Sequence, residues 1–240
     1  MIQHRAVDIR RFTSATELVQ AAAIRWIELL SQKPRLGTGL LGGRIAEAFF
    51  KELARQVTAE GADVSLAHFF WSDERCVPPT DPDSNYWIAE KALLDPLGIP
   101  LAHRHRIRGE LSSEDAVAAA DQELRVWSNL QGHLFPSLDL VLLGVGEDGH
   151  VASLFPGAAL EVIESEATYV ALIGPKPPPR RVSMTYRTIA AAREVWVLAS
   201  GAGKELALRQ SLQDAAPTTP LARVIAGRDR ITLWTDVRIE

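Results

Sequence analysis

Short apolar runs alternate with segments of helical periodicity along most of the chain. The runs that predict strands lie at residues 36–41, 64–71, 138–143, 168–173, 194–200 and 230–235. The segments that predict helices, with apolar residues every three or four positions, lie at residues 14–33, 45–56, 85–94, 112–127 and 203–213. This alternation indicates an α/β fold, in which helices cover both faces of a doubly wound, mainly parallel sheet.

The apolar run at 138–143 is the clearest strand of the set. It lacks the strict alternation of a half-exposed strand, which is typical of a central parallel strand buried on both faces. Three glycines then open a loop that carries Asp148 and His150. Because ligands of open α/β sheets bind beyond the carboxyl ends of such strands, both side chains are placed in a candidate pocket. The residues alone also allow a simple turn in which Asp148 only caps the chain.

Length and composition predict a single globular domain. The chain has 240 residues, of which 47% are hydrophobic and 23% charged, enough for a large core. No repeat or low-complexity linker divides it, so we expect one domain over residues 1–240. No apolar run approaches the roughly 20 residues that span a bilayer, and the N-terminal segment lacks the apolar core of a signal peptide. We therefore expect a cytoplasmic protein that does not bind membranes.

Charge and residue usage disfavour several functional classes. A net charge of −4 at pH 7 disfavours a broad nucleic-acid surface, so an anionic ligand has to be met by local clusters of cations. The single cysteine, Cys76, excludes an internal disulfide framework and a multi-cysteine zinc site. His103 and His105 lack carboxylates at metal-binding spacing, so we expect no metal. The basic run 103–108 that contains them predicts mainly a solvated turn.

Further polar segments lie at or near predicted strand ends. The glycine pair 42–43, followed by Arg44, stands before a predicted helix, where backbone N–H groups approach an anion closely. The pair alone is equally compatible with a tight turn. Acidic and basic residues at 73–75 follow another strand. The proline-rich segment 176–181 predicts either an extended arm with cations at both ends or a solvated loop. Lys204 stands at the start of a predicted helix, where its positive charge opposes the helix dipole unless an anion is bound beside it.

Familiar nucleotide and nucleophile motifs are missing from the sequence. It contains neither G-x-G-x-x-G nor G-x-x-x-x-G-K-[ST], which disfavours dinucleotide and nucleoside triphosphate binding. It also lacks the G-x-S-x-G elbow of serine hydrolases. The remaining hypothesis is that His150 acts as a general base on water and that Asp148 orients its ring.

Three segments, in order, resemble the glucosamine-6-phosphate isomerase/6-phosphogluconolactonase family and most closely its lactonases. They are WSDERCVPPTDPDSN at 71–85, DLVLLGVGEDGHVASLFPG at 139–157 and PKPPPRRVSMT at 175–185. The resemblance spans most of the chain. It implies the modified Rossmann-like fold of sugar-phosphate isomerases and lactonases. It also implies hydrolysis of 6-phospho-D-glucono-1,5-lactone to 6-phospho-D-gluconate in the oxidative pentose phosphate pathway, without a metal or organic cofactor.

The resemblance also implies a role for individual residues. His150 would deprotonate the attacking water and later return the proton to the ring oxygen, while Asp148 holds His150. Arg75 would stabilise negative charge on the substrate or intermediate. The implied contacts to the sugar-phosphate substrate are Gly42, Gly43, Arg44, Asp73, Arg181 and Lys204. The ligand is thus a small sugar-phosphate lactone, with neither nucleic acid nor membrane involved.

The glycine loop and the histidine loop depart from the family pattern at several positions. Leu41, Ile45 and Ala46 stand where a small residue, a threonine and often a proline are usual. Val151 replaces the threonine that usually follows the histidine.

Two alternatives to lactone hydrolysis remain. A glucosamine-6-phosphate deaminase or isomerase shares the G-x-G-x-D-G-H segment. Those enzymes have an acidic residue five positions after the histidine, whereas this chain has Phe155 at that position. A non-catalytic sugar-phosphate sensor would usually carry a DNA-binding segment, for which the sheet fold leaves no room.

Overall fold

The computed structural model describes residues 6–213 and 217–239 of the chain. The strands are β1 (Ala6–Arg11), β2 (Gly37–Leu40), β3 (His68–Trp71), β4 (Asp73–Arg75), β5 (Arg104–His105), β6 (Leu140–Gly144), β7 (Tyr169–Ile173), β8 (Arg180–Met184), β9 (Glu194–Ala199) and β10 (Arg230–Thr235). The α-helices are α1 (Ala15–Gln32), α2 (Arg44–Glu60), α3 (Asn85–Ala89), α4 (Ser113–Leu130), α5 (Leu160–Ile163), α6 (Tyr186–Ala191), α7 (Glu205–Gln213) and α8 (Pro220–Ala226). Helix α3 continues into a π-helical turn at Glu90–Leu94.

The main sheet confirms the predicted fold class. Within the described residues it has seven strands in the order β1-β10-β9-β6-β2-β3-β5, and each neighbouring pair is parallel. All residues of β2 and nearly all of β6 and β9 are buried, so the centre of the sheet is covered on both faces. From β2 the chain proceeds to one side of the sheet, through β3 and β5. From β6 it proceeds to the other side, so the β2–β6 pair is the switch point where such sheets bind ligands.

Local sequence signals set the predicted helices. Ser14 caps α1 by accepting a hydrogen bond from the Glu17 backbone N–H at 3.2 Å, as the capping-box spacing predicts. Helix α1 buries a stripe that includes Trp26, whose indole N–H donates to Thr38 of β2. The predicted strand at 64–71 begins only at residue 68, because residues 64–67 form a turn closed by a backbone hydrogen bond.

A second, antiparallel sheet was not predicted. Strands β4, β8 and β7 form it in that order. The apolar run at 168–173 is a strand, but it belongs to this small sheet and not to the parallel one. Strand β8 includes the end of the segment that was expected to be an extended arm, and β1 adds a parallel edge strand that the sequence pattern did not reveal.

The prediction of a mainly solvated turn at 103–108 is wrong. Arg104 and His105 form the edge strand β5, and Arg108 is the only residue of the run that is exposed. The Arg104 guanidinium donates to the Asp95 carboxylate at 2.8 Å and to the Ile99 carbonyl at 2.9 Å. Because the guanidinium of Arg104 finds its hydrogen-bond acceptors within the protein, this run forms part of the structure of the sheet edge.

Candidate active site

Every predicted site residue lines one cavity of about 650 Å³ at the carboxyl ends of β2 and β6. Strands β4 and β8 of the small sheet form the opposite wall. The predicted residues that the structure brings together are Gly42, Gly43, Arg44, Asp73, Arg75, Asp148, His150, Arg181 and Lys204. The cavity therefore joins segments that are more than 150 residues apart in the sequence.

The loop after β6 holds His150 and Asp148 as a hydrogen-bonded pair. The imidazole Nδ1 lies 2.5 Å from Asp148 Oδ1, and the same oxygen accepts from the His150 backbone N–H at 3.1 Å. A carboxylate on Nδ1 favours the tautomer that has its proton there, which leaves Nε2 free to accept a proton. Gly146 makes this possible, because a Cβ at that position would overlap the His150 ring. The pair has the geometry of an oriented general base.

Asp148 is suited to remain ionised. Its partial burial alone would raise its pKa, but the hydrogen bonds from the His150 backbone and ring outweigh burial and leave the pKa below its ordinary value. The carboxylate therefore stays an acceptor for Nδ1 across the neutral pH range.

The glycine loop after β2 opens the N-terminus of α2 towards the cavity. Gly43 is the N-cap, with φ of 86°, and no side chain caps the helix. The first backbone N–H groups of α2 are therefore placed where an anion binds favourably. Gly42 has a different reason to be glycine, since a Cβ there would overlap the side-chain amide of Asn85.

Lys204, a largely buried residue, brings a positive charge to the same side of the cavity. The residue is only 8% exposed, and no carboxylate forms an ion pair with it in the described parts of the chain. Burial and the neighbouring Arg44 lower the pKa of Lys204, against the attraction of Asp236 and Glu147. Asp236 also accepts hydrogen bonds from Ser200 and Gly201 and so anchors the loop. A lysine whose stem is buried and whose ammonium reaches the cavity without an ion-pair partner is a strong candidate for anion binding.

Arg75 and Arg181 place two guanidinium groups on the opposite wall. They are directly opposed in the β4–β8 register, where like charges are unfavourable unless an anion lies between them or nearby. Burial, followed by the proximity of Arg75, lowers the pKa of Arg181. Arg181 donates to the carbonyl of Pro178 at 3.0 Å, and Arg75 donates to the carbonyl of Asp83 at 2.6 Å. The predicted cations thus form two groups on facing walls.

Asp73 is buried and already engaged by other side chains. Its Oδ2 accepts from the Ser153 hydroxyl at 2.5 Å and its Oδ1 from the Asn85 amide at 3.3 Å. Ser153 lies in the histidine loop, three residues beyond His150. The geometry therefore makes Asp73 a link between the walls of the cavity, and direct contact with substrate stays a prediction for this residue.

Asn85 is the functional residue that sequence reasoning missed. It lines the cavity, touches Gly42 and Asp73, and is only 1% exposed. Within the described residues, three buried polar atoms of the cavity lining have no hydrogen-bond partner: Ser72 Oγ, Arg75 Nε and Asn85 Oδ1. Such atoms are costly unless a ligand or water pairs them. The only sequence signal for Asn85 was its place at the end of the segment 71–85.

Residues 6–213 and 217–239 include no group of three or more His, Cys, Asp or Glu side chains arranged to hold a metal ion. Over the same residues, none of the helices is both long and apolar enough to cross a membrane.

Comparison with known proteins identifies the family. A model of the family described as glucosamine-6-phosphate isomerases/6-phosphogluconolactonase matches residues 12–234. The chain belongs to this family. It is 36% identical to the 6-phosphogluconolactonase of Streptomyces coelicolor over 98% of this chain and 90% of that protein. It is 38% identical to the 6-phosphogluconolactonase of Mycobacterium tuberculosis over 81% of this chain and 79% of that protein.

A solved structure within the family has the same fold. The 6-phosphogluconolactonase from Trypanosoma brucei superimposes with a TM-score of 0.84 at 28% identity, over 96% of each chain. The positions that depart from the family pattern are largely internal, since Leu41, Ala46 and Val151 are completely buried. They therefore adjust the packing beneath the two loops. Phe155, which stands in place of an acidic residue, lies with its ring 4.9 Å from the His150 ring.

Proposed function

We propose that this protein hydrolyses 6-phospho-D-glucono-1,5-lactone to 6-phospho-D-gluconate, the lactonase reaction of the oxidative pentose phosphate pathway. The observation that carries the proposal is the Asp148–His150 pair, whose free Nε2 faces a cavity lined by cations on two walls. The family membership and the lactonase names of its relatives support it. A cytoplasmic location and a single domain stay predictions of the sequence.

The residues account for each proton of the reaction. His150 Nε2 takes a proton from water as the water oxygen attacks the lactone carbonyl carbon, which forms a tetrahedral intermediate with a negatively charged oxygen. Arg75 stabilises that charge. The bond from the carbonyl carbon to the ring oxygen then breaks, and the imidazolium returns its proton to this oxygen. The products are a carboxylic acid, which ionises in water, and a hydroxyl group.

The phosphate is assigned to the side of Lys204. The Lys204 ammonium, Arg44 and the open N-terminus of α2 meet there, and all three favour a dianion. Arg181 supplies positive charge from the facing wall. Binding the phosphate away from the reacting carbonyl fixes the lactone relative to His150, so remote binding energy contributes to catalysis.

The deaminase alternative lacks a carboxylate at the place where the sequence comparison expects one. Phe155 occupies that place, against His150 and near the Arg181 guanidinium. Ring opening of an amino sugar therefore has no acid from this position. We expect no ammonia release from glucosamine 6-phosphate.

The test is the hydrolysis rate of freshly generated 6-phosphogluconolactone, corrected for spontaneous hydrolysis. We expect His150→Ala to lower kcat by about two to four orders of magnitude, the usual range for a positioned acid or base. His133→Ala is the matched control, because His133 is exposed and outside the cavity. Undiminished turnover in His150→Ala would remove this residue from the role of base. No acceleration by the wild-type protein, with sugar-phosphate binding retained, would favour the deaminase and sensor alternatives.

A further inference from the structure

Glu147 is an acidic residue among the cations of the phosphate side. It lines the cavity, and its Oε1 lies 3.2 Å from the Arg44 guanidinium, which joins the loop after β6 to the loop after β2. Its carboxyl group also lies against Gly203, within 3.5 Å of the position that a Cβ would occupy there. Glu147 therefore contacts the loops that carry both Arg44 and Lys204.

Stability does not account for this ion pair. The Arg44 side chain is 87% exposed and that of Glu147 60%, and ion pairs with this exposure contribute little to folding. A weak, exposed contact is easily replaced by a ligand. Because a bound phosphate and the Glu147 carboxylate are both anions that seek the same guanidinium, they compete for its donors and repel each other.

We propose that Glu147 lowers the affinity of the site for phosphate ligands by competing with the ligand phosphate for Arg44. This inference rests on the proposed function, since it assigns the phosphate to the side of Arg44 and Lys204. The phosphate must displace Glu147, which then remains nearby as a repelling charge. Glu147 thus lowers the affinity for every phosphate ligand.

The experiment measures binding of inorganic phosphate, as the probe, to the full chain by calorimetry at low ionic strength. We expect Glu147→Gln to bind phosphate about three- to tenfold more tightly than the wild type, because the competitor is lost while the side-chain shape is kept. The difference shrinks in about 0.5 M salt, where exposed charges are screened. The KM for the lactone falls in the same direction.

Two controls separate competition for Arg44 from a general change in charge. Glu60→Gln removes the same charge at the far end of α2 and leaves phosphate affinity unchanged. In an Arg44→Gln background, Glu147→Gln gives less than a twofold gain. Equal or weaker phosphate binding by Glu147→Gln, a full gain without Arg44, or no phosphate binding by either protein would each overturn the proposal. The proposed function is tested separately, by the rate at which the wild-type protein hydrolyses the lactone. Phosphate binding can be measured without turnover, so the two proposals can fail independently.

Discussion

At the scale of single residues, the position of one proton connects Asp148 to the chemistry of His150. The carboxylate accepts from Nδ1 and from the His150 backbone N–H, so the ring is fixed at two points. The lowered pKa of Asp148 keeps the acceptor charged while Nε2 accepts the proton of water. The imidazolium that forms is then stabilised by the adjacent negative charge. The spacing Asp-Gly-His suggested this pair because the contact is local, but the residues alone also allowed a simple turn, and the family resemblance favoured the pair.

Lys204 and Arg181 differ in how much of their hydrogen-bonding capacity is already used. Arg181 donates to carbonyls of the 176–178 loop, whereas the Lys204 ammonium has no ion-pair partner in the described residues. We expect Lys204→Met to raise the KM for the lactone by about 10- to 100-fold, the cost of a lost charge-assisted contact. Arg181→Met raises KM by a smaller factor. Steady-state kinetics on both variants check the order.

The matched control for these variants is Lys51→Met, which removes an exposed lysine paired with Glu47 on α2. Its KM stays at the wild-type value. A larger rise in KM for Arg181→Met than for Lys204→Met would place the phosphate on the wall formed by the small sheet.

At the scale of elements, the start of α3 positions the glycine loop. The buried Glu74 carboxylate accepts hydrogen bonds from the backbone N–H groups of Arg75, Asn85 and Tyr86 and from the Ser84 hydroxyl, which ties α3 to β4. Burial raises the pKa of Glu74 to about 7, although the four hydrogen bonds act in the opposite direction. The charged form of the carboxylate is therefore stabilised by these donors, which the fold holds in place. Asn85 then packs on Gly42. No local pattern predicts such a contact between residues 43 positions apart.

The edge of the parallel sheet contains a cluster of stacked rings, His68, His103 and His105, beside Trp127. The His68 ring lies 4.0 Å from that of His103 and 4.5 Å from that of Trp127, and its Nδ1 is 2.9 Å from His105 Nε2. Burial, then the neighbouring His103 and His105, lowers the pKa of His68 to about 4. The folded protein therefore keeps His68 neutral at pH values where an unfolded chain protonates it.

The consequence is a loss of stability as pH falls from about 6.5 towards 4, because the unfolded state then binds the extra proton. We expect His68→Phe, which retains a ring for stacking, to lose less stability over this range. The difference is on the order of 1 kcal/mol after allowance for solvent screening of the half-buried ring. This corresponds to roughly 2–4 °C in Tm for a chain of this size.

Thermal unfolding at pH 7.5 and pH 5 measures the effect, with the exposed His133→Phe as control. His105 contributes in the same direction, since burial lowers its pKa despite the hydrogen bond to Glu123. The acid sensitivity of His68→Phe is therefore reduced and not abolished. A decline in Tm identical to that of the wild type would show that His68 does not titrate in this way.

At the scale of the whole molecule, the alternation of strands and helices was sufficient to predict the parallel sheet but not the small one. Strand β4 has three residues and β8 begins after consecutive prolines, so neither presents a run long enough for a periodic signal. Their pairing depends on contacts over about 100 residues of sequence. The cavity residues were nevertheless predicted, because parallel strands deliver their following loops to a shared edge and the family resemblance supplied the other wall.

Because the two sheets supply opposite walls, a ligand in the cavity holds both in place and stabilises the whole fold. A ligand that binds only the folded state adds about 2.7 kcal/mol at 100 times its Kd. For a chain of this size we expect 6-phosphogluconate at that concentration to raise Tm by roughly 5–10 °C. Scanning calorimetry of the wild type and Lys204→Met at equal ligand concentration measures the effect. Lys204→Met gives a smaller shift, since its Kd is weaker, whereas equal shifts would show that the product is held without the Lys204 ammonium.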